Sequence, residues 1–314
     1  MDVSFIIPLY NCLPLTQAML ASLHATLPPG VSHEIVFVDD GSTDGTREWL
    51  RTLPSPQFRI VLNPENLGYA RANNRGAAIA QGKLLVLLNN DLVLSPHWLE
   101  PMLERHASRP RPGVTGNVQC NARTGAIDHS GIFVNAKGKP QHDKKPPAPR
   151  QHHKDVVAVT GACFLIASDV WTQLGGFDEG FTNGCEDVDL CLKARRAGFT
   201  NVVAARSVVR HHISASPGRK RRDEANTYRL TQRWRDELAE AGAPAWCRDY
   251  AERALNAAAG FSEPGIAAEI VAYHLGLLST APAAAVEGMR HAIDGELARW
   301  QRILSPGEQT TVSS

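Results

Sequence analysis

The sequence predicts an α/β fold with a mostly parallel central sheet, followed by a helical C-terminal region. Up to residue 91, short runs of β-branched and aromatic residues alternate with stretches of helical apolar spacing. After Pro217 the composition shifts to Ala, Glu and Arg at helical spacing. With 314 residues, 43% of them hydrophobic, the chain can bury a large core and carry an appendage. We therefore predict two domains, 1–218 and 219–314.

Strand-helix-strand units open the chain. Residues 3–8 and 34–38 are predicted as buried strands, and residues 13–27 between them as a helix. The pattern repeats with helices over 43–53 and 70–80 and strands over 59–62 and 84–88. Strands joined by helices in this way form parallel sheets, and ligands bind at the carboxyl edge of such sheets.

Polar residues follow two of these strands directly. Asp39 and Asp40 come after the strand over 34–38, and Asn89, Asn90 and Asp91 come after the strand over 84–88. Both groups are therefore predicted at the ligand-binding edge. A later strand, over 202–209, leads into Arg210, His211 and His212.

A stretch of different composition lies between the strand over 84–88 and the strand over 202–209. Residues 137–154 are basic, rich in proline and poor in apolar residues, which predicts an exposed, mobile loop. It is interpreted either as a solvated excursion or as a lid or acceptor contact. The basic cluster over 219–222 leaves a similar choice between a solvated segment and a contact with a diphosphate or an anionic acceptor lipid. Helices are predicted over 223–241, 244–260, 263–279 and 282–303.

Bulk properties exclude several classes of protein. Lys and Arg number 33 against 32 Asp and Glu, so no overall charge favours a nucleic acid. The six cysteines contain no C-x-x-C pair, which argues against a zinc or redox motif. The start of the chain lacks a signal-peptide pattern, and no apolar run approaches the roughly 20 residues of a membrane span. We expect a cytoplasmic protein, with peripheral membrane contact left open.

Six motifs occur in order along the chain. They are Phe5-Ile-Ile-Pro-Leu-Tyr-Asn11, Val38-Asp-Asp-Gly-Ser-Thr-Asp-Gly45, Asn66-Leu-Gly-Tyr-Ala-Arg-Ala-Asn-Asn-Arg-Gly76, Leu88-Asn-Asn-Asp91, Gly175-Gly-Phe-Asp-Glu-Gly-Phe181 with Glu186-Asp187, and His211. Each alone is a weak signal, but their order is specific. Over residues 2–218 the chain thus resembles the family-2 glycosyltransferases. The resemblance implies the Rossmann-like GT-A fold and an inverting, metal-dependent sugar transfer from a nucleotide-diphosphate donor to a hydroxyl.

The resemblance also assigns residues to the donor. Those implied to bind the nucleotide sugar are Pro8, Tyr10, Asn11, Asp39, Gly68, Asn74, Asn89 and Asn90. Asp39 would accept a hydrogen bond from the base, although Asp39 and Asp40 could instead cap the following helix. The chain departs from the family's Asp-x-Asp motif, because Asn89 replaces the first acid. An amide carries no charge, so Asn89 would bind ribose or the donor sugar.

Metal and base are implied at three places. Asp91 and His211 would bind Mn²⁺ or Mg²⁺, with His212 as the alternative ligand because neighbouring residues of a strand face opposite sides. Asp187 would be the general base, supported by Glu186. The alternative is that these two acids merely stabilise a helix N-terminus.

Substrates and partners follow from the same resemblance. The expected donor is a UDP-sugar or dTDP-rhamnose, and the expected acceptor is a glycan or lipid-linked glycan of bacterial surface polysaccharide synthesis. The motifs are similar to those of the rhamnosyltransferase-like subgroup. A noncatalytic nucleotide-sugar or glycan-binding module is the competing interpretation; a glycoside hydrolase and a nucleotidyltransferase are weaker ones. The C-terminal helices would pack on the body, form a homodimer, or contact a membrane through Ile266, Ile270, Leu277 and Leu278.

Overall fold

The computed structural model describes residues 1–54, 56–212, 223–256 and 264–304. The chain divides into two compact units, the first formed by 1–132 and 142–222 and the second by 133–141 and 223–314. The proposed boundary at 218 and the basic cluster over 219–222 lie outside the described residues. The inclusion of 133–141 in the second unit has no counterpart in the sequence pattern.

A ten-stranded sheet forms the centre of the first unit. Its strands are β1 (Val3–Leu9), β2 (His33–Asp39), β3 (Phe58–Leu62), β4 (Leu84–Leu88), β5 (Leu92–Leu94), β6 (Pro112–Asn121), β7 (Ile127–His129), β10 (His153–Asp155), β11 (Cys163–Ala167) and β12 (Thr200–His211). A separate two-stranded sheet contains β8 (Ile132–Val134) and β9 (Pro140–His142).

The main sheet has the order β10-β12-β6-β11-β4-β1-β2-β3, with β5 beside β12 and β7 beside β6. From β4 to β3 all pairs are parallel, which confirms the α/β prediction for the start of the chain. Beyond β4 the sheet is mixed, because β11 runs antiparallel to β4 and β6 while β6 and β12 are parallel. The residues that precede β11 therefore lie at the same edge as the residues that follow β1, β2 and β4.

Six helices belong to the first unit. They are α1 (Leu13–Thr26), α2 (Thr46–Leu50), α3 (Tyr69–Ile79), α4 (Glu100–Ala107), α5 (Ser168–Leu174) and α6 (Glu186–Arg196). The central strands are buried on both faces, as their continuous apolar runs require. Helix α3 lies very close to the sheet at Gly76, where a Cβ would be 2.6 Å from Cγ2 of Ile6. This close approach holds the second half of α3 against the sheet.

The second unit is helical, as predicted. It contains α7 (Asp223–Arg233), α8 (Arg235–Asn256), α9 (Pro264–His274) and α10 (Ala283–Leu304). Helix α8 continues through Pro244, where the sequence pattern predicted a break between helices. No helix formed by the described residues is both long and apolar enough to cross a membrane.

The stretch 137–154 is not loop throughout. Strands β9 and β10 lie within it, so pairing partners supply backbone hydrogen bonds that its polar, proline-rich sequence did not predict. Gly138 is buried in the second unit, where a Cβ would lie 2.3 Å from Cγ1 of Ile293. The residues between β9 and β10 are exposed or half-buried, as expected.

Candidate active site

A cavity opens at the carboxyl edge of the sheet. One end, here called the β2 end, is formed by Pro8, Tyr10, Asp40 and Asn66. Asn89, Asn90 and Asp91 lie along the middle, after β4. The other end, here called the α6 end, is formed by Thr160, Gly161, Asn183, Glu186 and Asp187. The edge therefore brings together Pro8, Tyr10, Asn89, Asn90, Asp91, Glu186 and Asp187 from the set implied by the motifs.

The charge of the cavity is one-sided. Four carboxylates line it, from Asp40, Asp91, Glu186 and Asp187, and no Lys or Arg side chain of the described residues does so. A diphosphate would meet strong repulsion here without a bound cation. The four carboxylates favour a bound cation, and an anionic ligand would need such a cation to offset their charge.

Asp91 lines the cavity and forms a close pair with His211, which is not itself a lining residue. Their relative exposures are only 8% and 5%, and Nε2 of His211 lies 3.1 Å from Oδ1 of Asp91. Neither atom makes a hydrogen bond of proper geometry among the described residues. Two neighbouring ligands of an octahedral ion at about 2.1 Å are separated by about 3 Å, so these two atoms fit a shared metal ion. Burial of two polar atoms without hydrogen bonds is costly, and a cation would remove that cost.

Strand pairing explains why this pair forms. His211, the last residue of β12, is in register with Leu92 of β5, the residue after Asp91. The backbone N–H of His212 donates to the carbonyl oxygen of Asp91, while the His212 side chain is exposed. Of the two histidines, His211 is thus the one beside the carboxylate. No group of three or more His, Cys, Asp or Glu side chains in the described part of the chain could hold a metal, so a ligand would have to supply further oxygen atoms.

Asp187 lies in the first turn of α6 and is fixed by two backbone groups. The N–H of Gly161 donates to Oδ2 at 2.7 Å, and the N–H of Val188 donates to Oδ1 at 2.8 Å. Each oxygen keeps a lone pair for a substrate group. Glu186 is buried, and its Oε2 accepts from the N–H of Gly184 at 2.6 Å. The N-terminus of a helix stabilises both acids. Asp187 is half-exposed because it also lines the cavity.

The two acids after β2 have different surroundings. Asp39 is fully buried and does not line the cavity; its carboxylate accepts from Nε of Arg47 at 2.6 Å and from the N–H of Ser42. Asp40 lines the cavity and accepts from the N–H groups of Leu67 and Gly68, both at 2.9 Å. Asp40 is therefore the acid that reaches the ligand space, while Asp39 holds the turn behind it.

Three other motif residues stabilise the segments around the cavity through hydrogen bonds or backbone conformation. Asn11 has a left-handed backbone with φ 58°, and its Oδ1 accepts from the N–H of Thr43 at 2.8 Å. Gly68 precedes α3 with φ 94°, and its N–H is bound by Asp40. Asn74 exchanges hydrogen bonds with both backbone groups of Phe177. These contacts shape the cavity, but none of the three residues lines it.

Asn89 and Asn90, which line the middle of the cavity, differ in their hydrogen bonds. Nδ2 of Asn90 donates to Oγ1 of Thr16 at 2.9 Å, which ties the motif to α1. Oδ1 of Asn89 is buried and has no hydrogen-bond partner among the described residues. That oxygen is therefore available to a ligand hydroxyl.

Several cavity residues were not singled out from the motifs. Tyr69 donates its hydroxyl to the carbonyl oxygen of Gly161 at 2.7 Å, and its own N–H donates to Oδ1 of Asn183 at 3.1 Å. Thr160 and Gly161 precede β11, whose direction the sequence pattern does not reveal. Tyr69 stands inside the third motif, so its aromatic side chain was the one available signal.

His129 supports the α6 end from behind. It is fully buried on β7, and its Nε2 accepts from the N–H groups of Gly131 at 3.2 Å and Thr160 at 3.4 Å. Burial lowers the pKa of His129 well below its usual value, and the neighbouring His142, Lys154 and His211 lower it further. A neutral ring with the proton on Nδ1 is the form that can accept at Nε2.

Comparisons with known proteins identify relatives of this chain. The chain is 30% identical over 254 residues to the O-antigen biosynthesis protein RfbC of Myxococcus xanthus, covering 77% of this chain and 20% of that protein. It is 29% identical over 238 residues to the N-acetylglucosaminyl-diphospho-decaprenol L-rhamnosyltransferase of Mycobacterium tuberculosis H37Rv, covering 67% of this chain and 76% of that protein. Of the first two relatives that it matches, the chain spans only a quarter or less of the length: 25% of protein y4gI of Sinorhizobium fredii and 20% of RfbC.

The fold comparison gives the same result. The crystal structure of GalNAc-T7 with UDP, GalNAc and Mn²⁺ superposes with a TM-score of 0.63 at 18% identity, covering 81% of this chain and 51% of that one. At this identity the likeness establishes the GT-A fold. The model of the family described as glycosyl transferase family 2 matches residues 4–170. With a family model matching more than half of its residues, the chain belongs to glycosyl transferase family 2.

Proposed function

We propose that this chain transfers a sugar from a nucleotide-diphosphate donor to an acceptor hydroxyl, with inversion at the anomeric carbon. The observation that carries the proposal is that Asp91, which is paired with buried His211, lines the same cavity as Asp187. No Lys or Arg side chain of the described residues lines that cavity. A metal on the pair and a base at the α6 end are the two groups that such a transfer requires.

Asp91 and His211 would hold the divalent cation, Mn²⁺ or Mg²⁺. The bound cation supplies Lewis-acid stabilisation of the negative charge on the departing diphosphate. Mn²⁺ accepts both a carboxylate oxygen and an imidazole nitrogen, and GalNAc-T7 was crystallised with Mn²⁺ and UDP. Oδ1 of Asn89 would accept a hydrogen bond from a ribose or sugar hydroxyl beside the cation.

Asp187 would act as the general base. As the acceptor oxygen forms its bond to the anomeric carbon, the bond from that carbon to the diphosphate oxygen breaks, and the acceptor proton goes to the Asp187 carboxylate. The N–H donors of Gly161 and Val188 hold both oxygens of Asp187 in place through this step. Attack from the side of the base and departure on the side of the metal invert the carbon.

The proposal also names a donor and an acceptor, which membership of the family does not specify. A UDP-sugar or dTDP-rhamnose is the proposed donor, and a lipid-linked glycan is the proposed acceptor, because the mycobacterial relative is described as acting on N-acetylglucosaminyl-diphospho-decaprenol. The proposed location is the cytoplasm, with peripheral contact at the inner face of the plasma membrane. Of the four apolar residues named for that contact, Ile270 is fully buried in the second unit and cannot take part, whereas Leu277 and Leu278 are 74% and 41% exposed and would serve either that contact or a homodimer.

A thermal-shift screen followed by a transfer assay tests the proposal. UDP, dTDP and GDP are each added with Mn²⁺ or with EDTA, and one diphosphate is expected to raise Tm only when Mn²⁺ is present. Release of that diphosphate from its sugar donor then reports transfer. Binding without turnover on any acceptor would favour the noncatalytic module, and metal-independent transfer at full rate would refute the metal site.

A further inference from the structure

The segment between β9 and β10 carries an excess of positive charge. Residues 142–154 contain four cationic side chains and one carboxylate, together with three histidines. Lys144 pairs with Asp128 at 2.9 Å, and Lys154 pairs with Asp143. Within the described residues, neither Lys145 nor Arg150 forms a salt bridge, although Lys145 helps to lower the pKa of Asp143, and both cations are exposed. These two cations contrast with the carboxylates that line the cavity itself.

The backbone of Lys145 is fixed rather than free. Its N–H donates to Oδ1 of Asp143 at 3.0 Å, and its carbonyl oxygen accepts from Oγ of Ser130 at 2.8 Å. Asp143 is in turn bound to Ser130 and Gly131 through backbone hydrogen bonds of 2.7 and 2.8 Å. Lys145 is therefore anchored to the turn that follows His129, the side chain that holds Thr160 in the cavity wall.

The rest of the segment has local order as well. Gln151 closes a turn with Ala148, donating its N–H to the Ala148 carbonyl at 2.9 Å and accepting the Ala148 N–H on Oε1 at 3.0 Å. Arg150 lies inside that turn with φ 68°. Because the backbone is already ordered, binding of an anion by these two residues costs conformational entropy only in their side chains.

Strand order places this segment beyond the α6 end. The sheet continues from β11, which follows Gly161, through β6 and β12 to β10. Strand β10 is antiparallel to β12, so the residues before β10 lie toward the edge of the sheet at which β12 ends with His211. Three strand spacings separate β11 from β10, about 14 Å. A sugar ring, the diphosphate attached to it and an extended lysine side chain can together cover that length.

We infer that Lys145 and Arg150 bind the diphosphate of an acceptor that carries its sugar on a lipid diphosphate. The inference rests on the proposed function, because it assigns the acceptor side of the same cavity. The donor diphosphate is bound through the metal at Asp91, whereas the acceptor diphosphate meets lysine and arginine directly. The donor diphosphate and the acceptor diphosphate are thus bound by different cations.

The test measures binding of farnesyl diphosphate in EDTA, where the acidic cavity has no metal to attract a diphosphate. The wild type is compared with Lys145→Glu/Arg150→Glu, Lys145→Arg and, as a matched charge reversal, Lys83→Glu. Lys83 is exposed at the amino end of β4, the opposite edge of the sheet. We expect the double variant to weaken binding at least tenfold, while Lys145→Arg and Lys83→Glu bind as the wild type does.

Farnesol, inorganic pyrophosphate and phosphatidylglycerol vesicles complete the experiment. Equal binding of farnesol would show that the lipid tail carries the affinity, and would overturn the inference. Loss of vesicle binding in the double variant with farnesyl diphosphate unaffected would overturn it in favour of a membrane headgroup. Weaker binding of pyrophosphate by the double variant than by the wild type supports the diphosphate site.

Failure here is separable from failure of the proposed function. A wild type that binds UDP with Mn²⁺ but not farnesyl diphosphate overturns the acceptor site alone. A wild type that binds farnesyl diphosphate through Lys145 and Arg150 but neither binds a nucleotide diphosphate nor transfers sugar overturns the transferase. Unchanged UDP binding and unchanged Tm in the double variant verify that the fold and the donor side are intact.

Discussion

At the β2 end of the cavity, the lining residues lie at the ends of β1 and β2 or in the short segment that leads into α3, whereas at the α6 end the lining residues come from segments far apart in the chain. Asp40 is the first residue after β2, and it binds the turn that leads into α3. Gly161 and Asp187 are 26 residues apart, and their hydrogen bond depends on β11 running antiparallel to β4. The β2 end is therefore encoded locally, and the α6 end is assembled by tertiary packing.

The difference also separates two tasks. The β2 end has a dense set of backbone hydrogen bonds to buried acids, which suits a ligand of fixed shape such as a nucleotide. The α6 end contains Asp187, the proposed general base, and Lys145 is anchored to the turn after His129, whose ring accepts from Thr160 at that end; this suits a variable acceptor. Substitutions at the α6 end should therefore reduce turnover while leaving donor binding intact.

The largest expected effect is at Asp187. Asp187→Asn keeps one acceptor oxygen for the N–H of either Gly161 or Val188 but cannot take a proton, so kcat should fall by about 10²–10⁴-fold. Asp169→Asn is the matched control, because Asp169 is an exposed acid in the first turn of α5 outside the cavity. Steady-state kinetics with a Mn²⁺-dependent UDP thermal shift as a second readout checks this. Retained turnover would leave only the helix-dipole role for Asp187.

A pair of neighbouring histidines tests the middle of the cavity. His211→Gln removes one of two protein ligands and should weaken Mn²⁺-dependent nucleotide binding by about tenfold or more. His212→Gln changes an exposed neighbour and should leave it unchanged. Titration of Mn²⁺ at constant nucleotide measures both. Equal behaviour of the two variants would contradict the assignment of His211.

His129 offers a smaller and more selective change. His129→Leu leaves the N–H groups of Thr160 and Gly131 without their acceptor, which should shift the wall beside Asp187 and lower kcat by about tenfold. His129→Gln can place its Oε1 close to the position of Nε2 and should recover much of that loss.

The control for this pair is the donor. UDP binding should be the same in both His129 variants, because the β2 end does not contact His129. If kcat and UDP binding fell together, or if His129→Gln recovered nothing while remaining folded, His129 would have only a general role in stability.

The smallest expected effect concerns stability rather than the cavity. Burial lowers the pKa of His106 to about 4, although Asp169 opposes the shift. The unfolded chain takes up a proton near pH 6.5 while folded His106 does not, so the free energy of unfolding should decrease as the pH falls from about 6.5 toward 4. Urea unfolding at several pH values measures the slope, and His106→Gln should flatten it. A steeper slope in that variant would contradict the assigned cause.

The sequence predicted the fold and much of the site for reasons that individual residues make clear. Apolar runs that end in Asn89, Asn90 and Asp91 can be recognised as strand ends because both the period and the polarity change there. Asp39 could not be separated from Asp40 in this way, since adjacent residues share every local signal. The difference arises because Arg47 and Ser42 enclose one carboxylate, while Leu67 and Gly68 turn the other toward the cavity.

By itself, the sequence determined the α/β class, the helical second unit and the family, because hydrophobic period and ordered motifs are local properties of the chain. Only the tertiary structure decided that His211 rather than His212 stands beside Asp91, that Gly161 holds Asp187, and that Lys145 is anchored behind the α6 end. Each of these depends on strand register or direction, and register is set by the packing of segments that are distant in the chain.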